Sequence, residues 1–459
     1  MTWGLRYKKT SVRVNLDSCH NQNLEIMSTV LEQATTAAKQ GNWSLLNQYL
    51  QQLPLGKHAT DDTEKSALLN DADLEQVLNL ALDVLTVGDF QERWEVAKMF
   101  PKLGTIAIAP LIEILEDDEA DLELRWFTTR ILGEFNHPSV ITTLVDLLKT
   151  AEDEDLAAMA ATTLSHLGNS AVDALANLLP NPETRSLATT ALSQIRRPEI
   201  IAPLLSVVHD PQVSVRATAI EALSSFHDPR IPPVLLNALD DRAATVRKEA
   251  VIGLGLRSDL QEELDLLNRL KPLLYDFNIE VCQQTAIALG RLGTDQAVVA
   301  LFDVLKSPAT PLPLQLDIIR ALGWVGSAKT LDYLQPTLAQ SSLECALEVV
   351  RVLGRFEQPL NTKAAQILGD FLNSEHPTAR ATPIKQAVAQ AWGQLGDVNA
   401  IDALVGLLAD PVDSVRLHAI AALKNFPTIY EKLEQLTADE QLAPALKQGV
   451  AIALAEWKI

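Results

Sequence analysis

The sequence predicts an all-α fold, an α-solenoid (superhelix) of about twelve two-helix repeats that follow a helical N-terminal cap. Three observations predict this fold. A short motif recurs at a near-constant interval along most of the chain. Within each interval, apolar residues recur at the three- and four-residue spacings of an amphipathic helix. The composition, 47% hydrophobic but only 5% aromatic, suits close helix packing through Leu, Ala, Val and Ile.

The recurring motif usually begins with a basic residue. A small or aliphatic residue follows three positions later, and large apolar residues follow at seven and ten positions. RATAIEALSSF, from Arg216, and RLHAIAALKNF, from Arg416, are two copies. Twelve copies start at residues 93, 125, 157, 185, 216, 247, 282, 315, 346, 385, 416 and 447, a period of about 31 residues. One unit of this size cannot bury its apolar face alone, so neighbouring units have to stack.

Each repeat predicts two helices. The first helix carries the motif and often opens after Asp-Pro, as at Asp210-Pro211 and Asp410-Pro411, because Asp caps a helix N-terminus and Pro fits its first turn. It ends near a glycine, as at Gly293 and Gly396. The second helix is shorter and more apolar, as in AIDALVGLLAD from Ala400.

The repeats are predicted to occupy residues 88–459. Residues 27–87 are predicted to form the N-terminal cap, with helices at 28–53 and 72–86 around a polar linker. Residues 1–26 carry a local charge of +2 and predict a flexible extension. This extension is either the product of start-site choice or a transit-like or docking arm.

The predicted location depends on features that the sequence lacks. No apolar run approaches the roughly 18 residues of a membrane-spanning helix, and the N-terminus has no apolar core of a secretory signal. Cys19, Cys282 and Cys345 are too few and too scattered for a disulfide framework. We therefore expect a cytoplasmic protein without integral membrane association.

The openings Asp-Pro-x-x-x-Val-Arg, at 210–216 and 410–416, and the Leu-Gly-x-x-x-Ala joints resemble HEAT repeats. The short period is similar to that of the HEAT-like repeats of the phycobilisome (phycobilin) lyase family. The resemblance covers about residues 88–459 and implies the solenoid fold, but it specifies function weakly. It implies an alternative function as a phycobilin lyase or chaperone-lyase. Under that alternative, Asp146 or Asp303 would pair with the pyrrole nitrogens of a bilin, a role that follows from their expected place on the second helices and matches no family motif.

Charge narrows the classes of partner. The chain has 38 basic and 59 acidic residues, a net charge of −21, which disfavours nucleic acids and anionic membranes and favours a partner with a basic surface. The basic residues that start most repeats predict a ladder of hydrogen bonds and ion pairs to aspartates of neighbouring loops. They are Arg93, Arg125, Arg185, Arg216, Arg247, Lys385, Arg416 and Lys447.

The sequence offers no catalytic or metal site. It lacks a phosphate-binding loop, a nucleophile elbow and a kinase signature. The di-iron hydroxylases of this architecture require His-Glu dipeptides, and the nearest case here is the reversed Glu375-His376. No pair among the eight histidines has the helical spacing of metal ligands. We expect no cofactor, with a bilin as the candidate ligand under the lyase alternative.

Acidic residues cluster in the loops before two consecutive first helices. We call this cluster the acidic edge; its members are Glu116, Asp117, Asp118, Glu119, Asp121, Glu152, Asp153, Glu154 and Asp155. Stacking would place the two loops side by side. The edge is either a solubilising surface or a surface that binds a basic partner.

A second set of polar residues occupies one position of successive second helices. We call it the polar row; its members are Glu113, Asp146, Asn177, Ser206, Asn237, Asp303 and Asp370. HEAT-like solenoids line their concave surface with the second helix. The polar row is therefore expected to track a concave groove that either grips a partner segment or is only solvated.

Two tryptophans, Trp94 and Trp126, follow the motif start directly in consecutive repeats. Two indoles beside carboxylates would suit an aromatic or basic ligand group, although core or edge packing is the alternative. Trp392 is expected in the core.

These features favour a non-catalytic protein–protein interaction scaffold or assembly factor. Its partner protein is expected to bind along the acidic edge and the polar groove. The sequence leaves the partner, the pathway and the oligomeric state open.

Overall fold

The structure is a computed structural model that describes residues 27–53, 55, 70–439 and 441–457. The secondary structure of these residues is helical throughout, without a strand. The predicted extension, 1–26, and most of the polar linker lie outside the described residues. The chain divides into two compact units, Met1–Ala222 and Leu223–Ile459. The boundary falls inside the repeat array, so one continuous solenoid over 88–459 stays a prediction.

Unit 1 begins with a helix at residues 27–39 (α1). The helices that follow are α2 Trp43–Gln52, α3 Asp71–Val87, α4 Phe90–Ala97, α5 Phe100–Leu103, α6 Ile108–Glu116, α7 Leu122–Leu132, α8 Pro138–Thr150, α9 Glu154–His166, α10 Val172–Ala176, α11 Pro182–Gln194, α12 Ile201–Leu205 and α13 Val213–Leu223, whose last residue opens unit 2. Short 3-10 turns at Gly104–Ala107, Gly168–Ala171 and Pro198–Ile200 lead into α6, α10 and α12.

Unit 2 continues the alternation of first and second helices, but, contrary to the prediction, the second helix is not always the shorter one: Asn361–Leu372 has 12 residues and Leu343–Leu353 has 11. Its helices are α14 Ile231–Ala238, α15 Ala244–Gly255, α16 Leu266–Leu270, α17 Ile279–Leu292, α18 Asp295–Leu305, α19 Leu312–Val325, α20 Ala328–Leu338, α21 Leu343–Leu353, α22 Asn361–Leu372, α23 Thr382–Leu395, α24 Ile401–Leu407, α25 Asp413–Leu423, α26 Ile429–Thr437 and α27 Pro444–Glu456. Its 3-10 turns are Ser258–Leu260, Lys271–Tyr275, Pro377–Arg380 and Val398–Ala400.

The predicted number of repeats and the positions of their first helices are confirmed. All twelve motif starts lie in helices, namely α4, α7, α9, α11, α13, α15, α17, α19, α21, α23, α25 and α27. The apolar motif positions form the core: in the repeat that starts at residue 416, Ala419, Leu423 and Phe426 are each less than 5% exposed. Trp392 is also buried, and its Nε1 donates to Ala365 O at 3.0 Å. Burial of these side chains is the main source of stability.

The cap differs from its prediction at one point. The single helix expected at 28–53 is wrong, because α1 and α2 are separated at Gly41 and Asn42. Gly41 adopts φ +65°, a left-handed conformation that glycine tolerates, and Asn42 caps α2 by accepting from Leu45 N at 3.1 Å. The helix expected at 72–86 is confirmed as α3. Ser44 and Asn47 of α2 hydrogen-bond Glu92 of α4, so the cap contacts the first repeat.

First helices pack against one another more closely than second helices do. In unit 2 the Cα traces of consecutive first helices approach within 8 Å along much of their length, whereas those of α18, α20 and α22 do so at a few points. Small residues permit this approach: a Cβ on Gly290 would lie 3.0 Å from Ala321 Cα, and one on Gly393 would lie 2.9 Å from Ala422 Cα. In a curved stack of helix pairs, the helices that are closer together lie on the inner side of the curve. Unit 2 therefore bends toward its first helices.

The close approach predicts the effect of one methyl group. Gly290→Ala is expected to lower the free energy of unfolding by about 1–3 kcal/mol, because the new Cβ meets the backbone of Ala321. The matched control is Gly406→Ala in α24, where nothing lies within 4 Å of the position that the new methyl group would take. Added helix propensity is expected to raise the stability of this control by about 0.5–1 kcal/mol. Urea unfolding followed by far-ultraviolet circular dichroism measures both. Equal effects in the two variants would contradict the packing argument.

Candidate functional site

Several of the bases that start repeats form ion pairs with aspartates in the loop of the next repeat, as the sequence predicts, but Arg416 pairs with Asp413 of its own helix, and Arg125 and Lys447 form no ion pair within the described residues. We call the pairs between repeats the arginine ladder. Its rungs, by nitrogen–oxygen distance, are Arg93–Asp121 at 3.0 Å, Arg185–Asp210 at 2.6 Å, Arg247–Asp276 at 2.7 Å and Lys385–Asp410 at 2.6 Å. The carboxylates of Asp210, Asp276 and Asp410 are each less than 10% exposed. These bases are therefore engaged in holding the repeats together.

In a rung such as Arg247–Asp276, the arginine also hydrogen-bonds the loop that precedes its own helix. Arg247 Nη1 donates to the carbonyl oxygens of Asp241 at 2.7 Å and Arg242 at 3.1 Å. Asp276 in turn accepts from Asn278 N at 2.8 Å. The hydrogen bond and charge of Arg247 hold the pKa of Asp276 below its ordinary value of 3.8. A rung therefore fixes two consecutive loops at once.

Three repeats in unit 2 lack a base at the motif start, which is Cys282, Gln315 or Ala346. Cys282 Sγ donates to Asp276 O in its own loop, while Gln315 Nε2 donates to Thr310 O and its Oε1 accepts from Cys345 Sγ of the next repeat at 3.1 Å. Cys282 and Cys345 are buried, and burial raises the pKa of both thiols. A raised thiol pKa disfavours nucleophilic or metal-binding roles. Cys19 lies outside the described residues.

The acidic edge contains two kinds of carboxylate. Asp121 binds Arg93 and caps α7, Asp153 caps α9, and Asp117 accepts from Glu119 N. The hydrogen bond from Arg93 lowers the pKa of Asp121. The other members are exposed: Glu116, Asp118, Glu119, Glu152, Glu154 and Asp155. The two loops precede α7 and α9, which pack against each other.

The polar row lies on the second helices, which are the more widely spaced row of each unit. Its members are exposed except Asp303, which is half-buried. Asp146 pairs with Lys149 at 3.2 Å, and Asp303 pairs with Lys306 at 2.7 Å. Both carboxylates considered for a bilin therefore have a lysine partner already. Because unit 2 bends toward its first helices, Asp303 and Asp370 lie on its outer row and not in the concave groove expected for them. A role of the row in gripping a partner stays a prediction.

The tryptophan pair has a cationic neighbour that the sequence did not predict. Arg130 Cζ lies 3.9 Å from the ring centroid of Trp94 and 5.9 Å from that of Trp126. Phe90 stacks on Trp94 with centroids 6.3 Å apart. Arg130 follows Trp126 by four residues, one helical turn, so the i,i+4 spacing could have identified this contact. The position expected for a basic ligand group is thus occupied by the chain itself.

A groove on the first helices of unit 2 was likewise not predicted. It has a volume of about 430 Å³ and lies over α21, α23 and α25. Its lining includes Arg351 of α21, Arg355 of the turn after α21, and Gln386, Gln390 and Gln394 of α23. We call it the amide groove. The four-residue spacing of the three glutamines is the sequence feature that could have identified it.

Two kinds of site are absent from the described ranges. No group of three or more His, Cys, Asp or Glu side chains there could hold a metal ion. No helix in the same part of the chain is both long enough and apolar enough to cross a bilayer.

The chain is similar to known repeat proteins. A family model of HEAT repeats matches residues 108–180, 172–255 and 338–424, slightly more than half of the chain. Similar solved structures include an engineered protein, with 20% identity over 76% of this chain and 98% of that chain at a TM-score of 0.36. Importin beta has 14% identity over 91% and 67% of the two chains, with a TM-score of 0.45. Human deoxyhypusine hydroxylase has 24% identity over 56% and 95%, with a TM-score of 0.25. None of the curated proteins compared with the chain matches it.

The ladder predicts a strong effect of removing one buried charge. Asp276→Asn is expected to lower the free energy of unfolding by about 2 kcal/mol at neutral pH, because Arg247 loses its charged partner inside the loop. The matched control is Asp332→Asn, which removes the partner of Lys363 from an ion pair whose two side chains are both exposed, and it is expected to change stability little. Chemical denaturation of both variants measures the difference. A similar loss in both would contradict a special role for the rung.

The same rung predicts a pH dependence. Because the pKa of Asp276 is lower in the folded than in the unfolded chain, its ionisation stabilises the fold above the ordinary value of 3.8. This stabilisation is lost as pH falls through the lowered pKa. The stability difference between wild type and Asp276→Asn should therefore shrink at acidic pH, as urea unfolding at neutral pH and at about pH 3 would measure. A difference that stays constant over this range would contradict the assignment.

Proposed function

The chain belongs to the HEAT-repeat family, and we propose that it is a non-catalytic protein-interaction scaffold or assembly factor whose partner binds the acidic edge through a basic surface. Stacked helical repeats expose long continuous surfaces that are well suited to protein binding. The proposal therefore combines a fold that is typical of scaffolds with a surface of defined charge.

The observation that carries the proposal is a group of unpaired acids on the acidic edge. None of the exposed carboxylates of Glu116, Asp118, Glu119, Glu152, Glu154 and Asp155 forms an ion pair with a lysine or arginine of the described residues. Like charges at this density repel each other, most strongly at low salt. A basic partner would relieve that repulsion, which favours a binding role over a solubilising one.

The structural acids of the edge keep this surface in place. Asp121 and Asp153 begin α7 and α9, and Asp121 also completes the ladder rung with Arg93. Their carboxylates are therefore committed to the fold, while their neighbours project from a fixed loop. A partner would meet acids whose backbone is already ordered, which lowers the entropy cost of binding.

The phycobilin-lyase alternative stays a prediction. Its proposed carboxylates, Asp146 and Asp303, are paired with Lys149 and Lys306, which does not favour it. Co-expression with bilin-synthesis enzymes tests it directly. Visible absorption of the purified protein, or bilin transfer to an apo-phycobiliprotein, would support the alternative, and a colourless protein without transfer would exclude it.

Neutralising the free acids of the edge tests the scaffold proposal. A variant with Asp118→Asn, Glu119→Gln, Glu152→Gln and Asp155→Asn removes four charges and leaves the caps and the rung intact. A partner recovered by affinity purification from the native host, and identified by mass spectrometry, is expected to bind it roughly ten- to a hundredfold more weakly at low salt.

The matched control removes four exposed acids from unit 2 by Glu262→Gln, Glu263→Gln, Glu375→Gln and Glu431→Gln. It carries the same net charge and is expected to bind as the wild type does. If the edge variant and the control retain the same partners with the same affinity, the acidic edge only solubilises the protein.

A further inference from the structure

The amide groove differs in charge from the chain that carries it. The chain has a net charge of −21, yet no aspartate or glutamate lines this groove. The residues that line it are Leu347, Arg351, Arg355, Pro383, Gln386, Ala387, Gln390, Ala391, Gln394 and His418. The groove therefore presents cationic and amide groups without a carboxylate among them.

Both arginines of the groove are available to a ligand. The side chain of Arg351 is 61% exposed and contacts Glu348 at 3.3 Å. Arg320 binds Glu348 at 2.8 Å and Asp317 at 2.9 Å, so the two carboxylates balance Arg320 and Arg351. No carboxylate in the described part of the chain forms an ion pair with Arg355. An acidic ligand would supply the counter-charge that Arg355 lacks and a further acceptor for the exposed guanidinium of Arg351.

The spacing of the groove residues matches an extended peptide. Gln386, Gln390 and Gln394 lie one turn apart on α23, whereas Arg351 lies on α21 and Arg355 in the turn that follows it. Four residues of helix rise about 6 Å, and two residues of an extended chain span roughly 6.6 Å. Successive glutamines therefore face alternate residues of a strand that runs along α23. Each glutamine offers a donor and an acceptor, as a peptide bond does.

We propose that the amide groove binds an extended acidic peptide segment of a partner protein. Carboxylates at alternate positions of the segment face Arg351 and Arg355, and its backbone bonds to the glutamines of α23. A nucleic-acid strand is the less suitable polyanion, because such strands are held largely by stacking of bases on aromatic rings, and the groove lining contains no Phe, Tyr or Trp and only one aromatic ring, that of His418.

The amide groove differs from the acidic edge in its position along the chain and in the sign of its charge. The groove lies in unit 2 and takes an acidic ligand, whereas the edge lies in unit 1 and takes a basic one. Each test can therefore fail while the other succeeds.

Fluorescence anisotropy with defined peptides tests the proposal on the full chain. The probe is a fluorescein-labelled peptide of alternating glutamate and serine, about twelve residues long, whose extended length of roughly 40 Å exceeds the groove. We expect it to bind, and the matched glutamine–serine and lysine–serine peptides to bind much more weakly. Arg351→Gln with Arg355→Gln should weaken binding about tenfold, since two charge pairs are lost.

The matched control is Arg230→Gln with Arg269→Gln, which makes the same charge change at exposed positions outside the groove. It should leave the affinity unchanged. Gln390→Glu keeps the side-chain size, and it should weaken binding of the acidic peptide while strengthening that of the lysine–serine peptide. Far-ultraviolet circular dichroism checks that each variant retains its helices.

Three results would overturn the proposal. One is no binding of the glutamate–serine peptide at concentrations up to about 1 mM. Another is equal weakening by the groove variant and the control, because binding would then follow net charge alone. The last is tighter binding of a single-stranded oligonucleotide of the same length, which would make the groove a nucleic-acid site.

Discussion

The contact on which the repeats depend is the rung between the base that starts one first helix and the aspartate of the next loop. A two-helix repeat cannot bury its apolar face alone, so the register between neighbours has to be fixed. A buried ion pair does this only if its desolvation cost is offset by further hydrogen bonds. Arg247 meets this condition, because it binds two carbonyls of its own loop as well as Asp276. The rungs therefore set the position of the loops, and the loops carry the charges that a partner meets.

The ladder also decides which charged residues remain available for binding. In unit 1, the carboxylate of Asp121 binds Arg93 in its rung and caps α7, while those of Asp118 and Glu119 in the same loop form no ion pair within the described residues. The positions five and nine residues after the motif start take no part in the rungs. In the repeats that start at 346 and 385 these positions hold Arg351, Arg355, Gln390 and Gln394, which line the amide groove. The repeats thus present acids at one loop edge in unit 1 and bases at the end of a first helix in unit 2.

The sequence predicted the features that depend on the spacing of residues along the chain. The motif period located all twelve first helices, and its basic positions predicted the ladder. It did not predict features that depend on how helices approach one another. Gly290 in isolation indicates a weak helix position, and its purpose appears only beside Ala321 of the next repeat. The expectation that second helices line a groove came from family resemblance, whereas the closer spacing of the first helices comes from such small residues.

Local charge rather than net charge determines what each surface can bind. At physiological salt, charges are screened over about 8 Å, a distance no longer than the separation of two adjacent helix axes at about 8–10 Å. A carboxylate in the amide groove therefore interacts with Arg351 and Arg355 and is little affected by acids in distant loops. The net charge of −21 cannot by itself exclude an acidic ligand. Discrimination between a peptide and a nucleic acid then depends on the lining, where three amides match a peptide backbone and the imidazole of His418 is the one aromatic ring on which a base could stack.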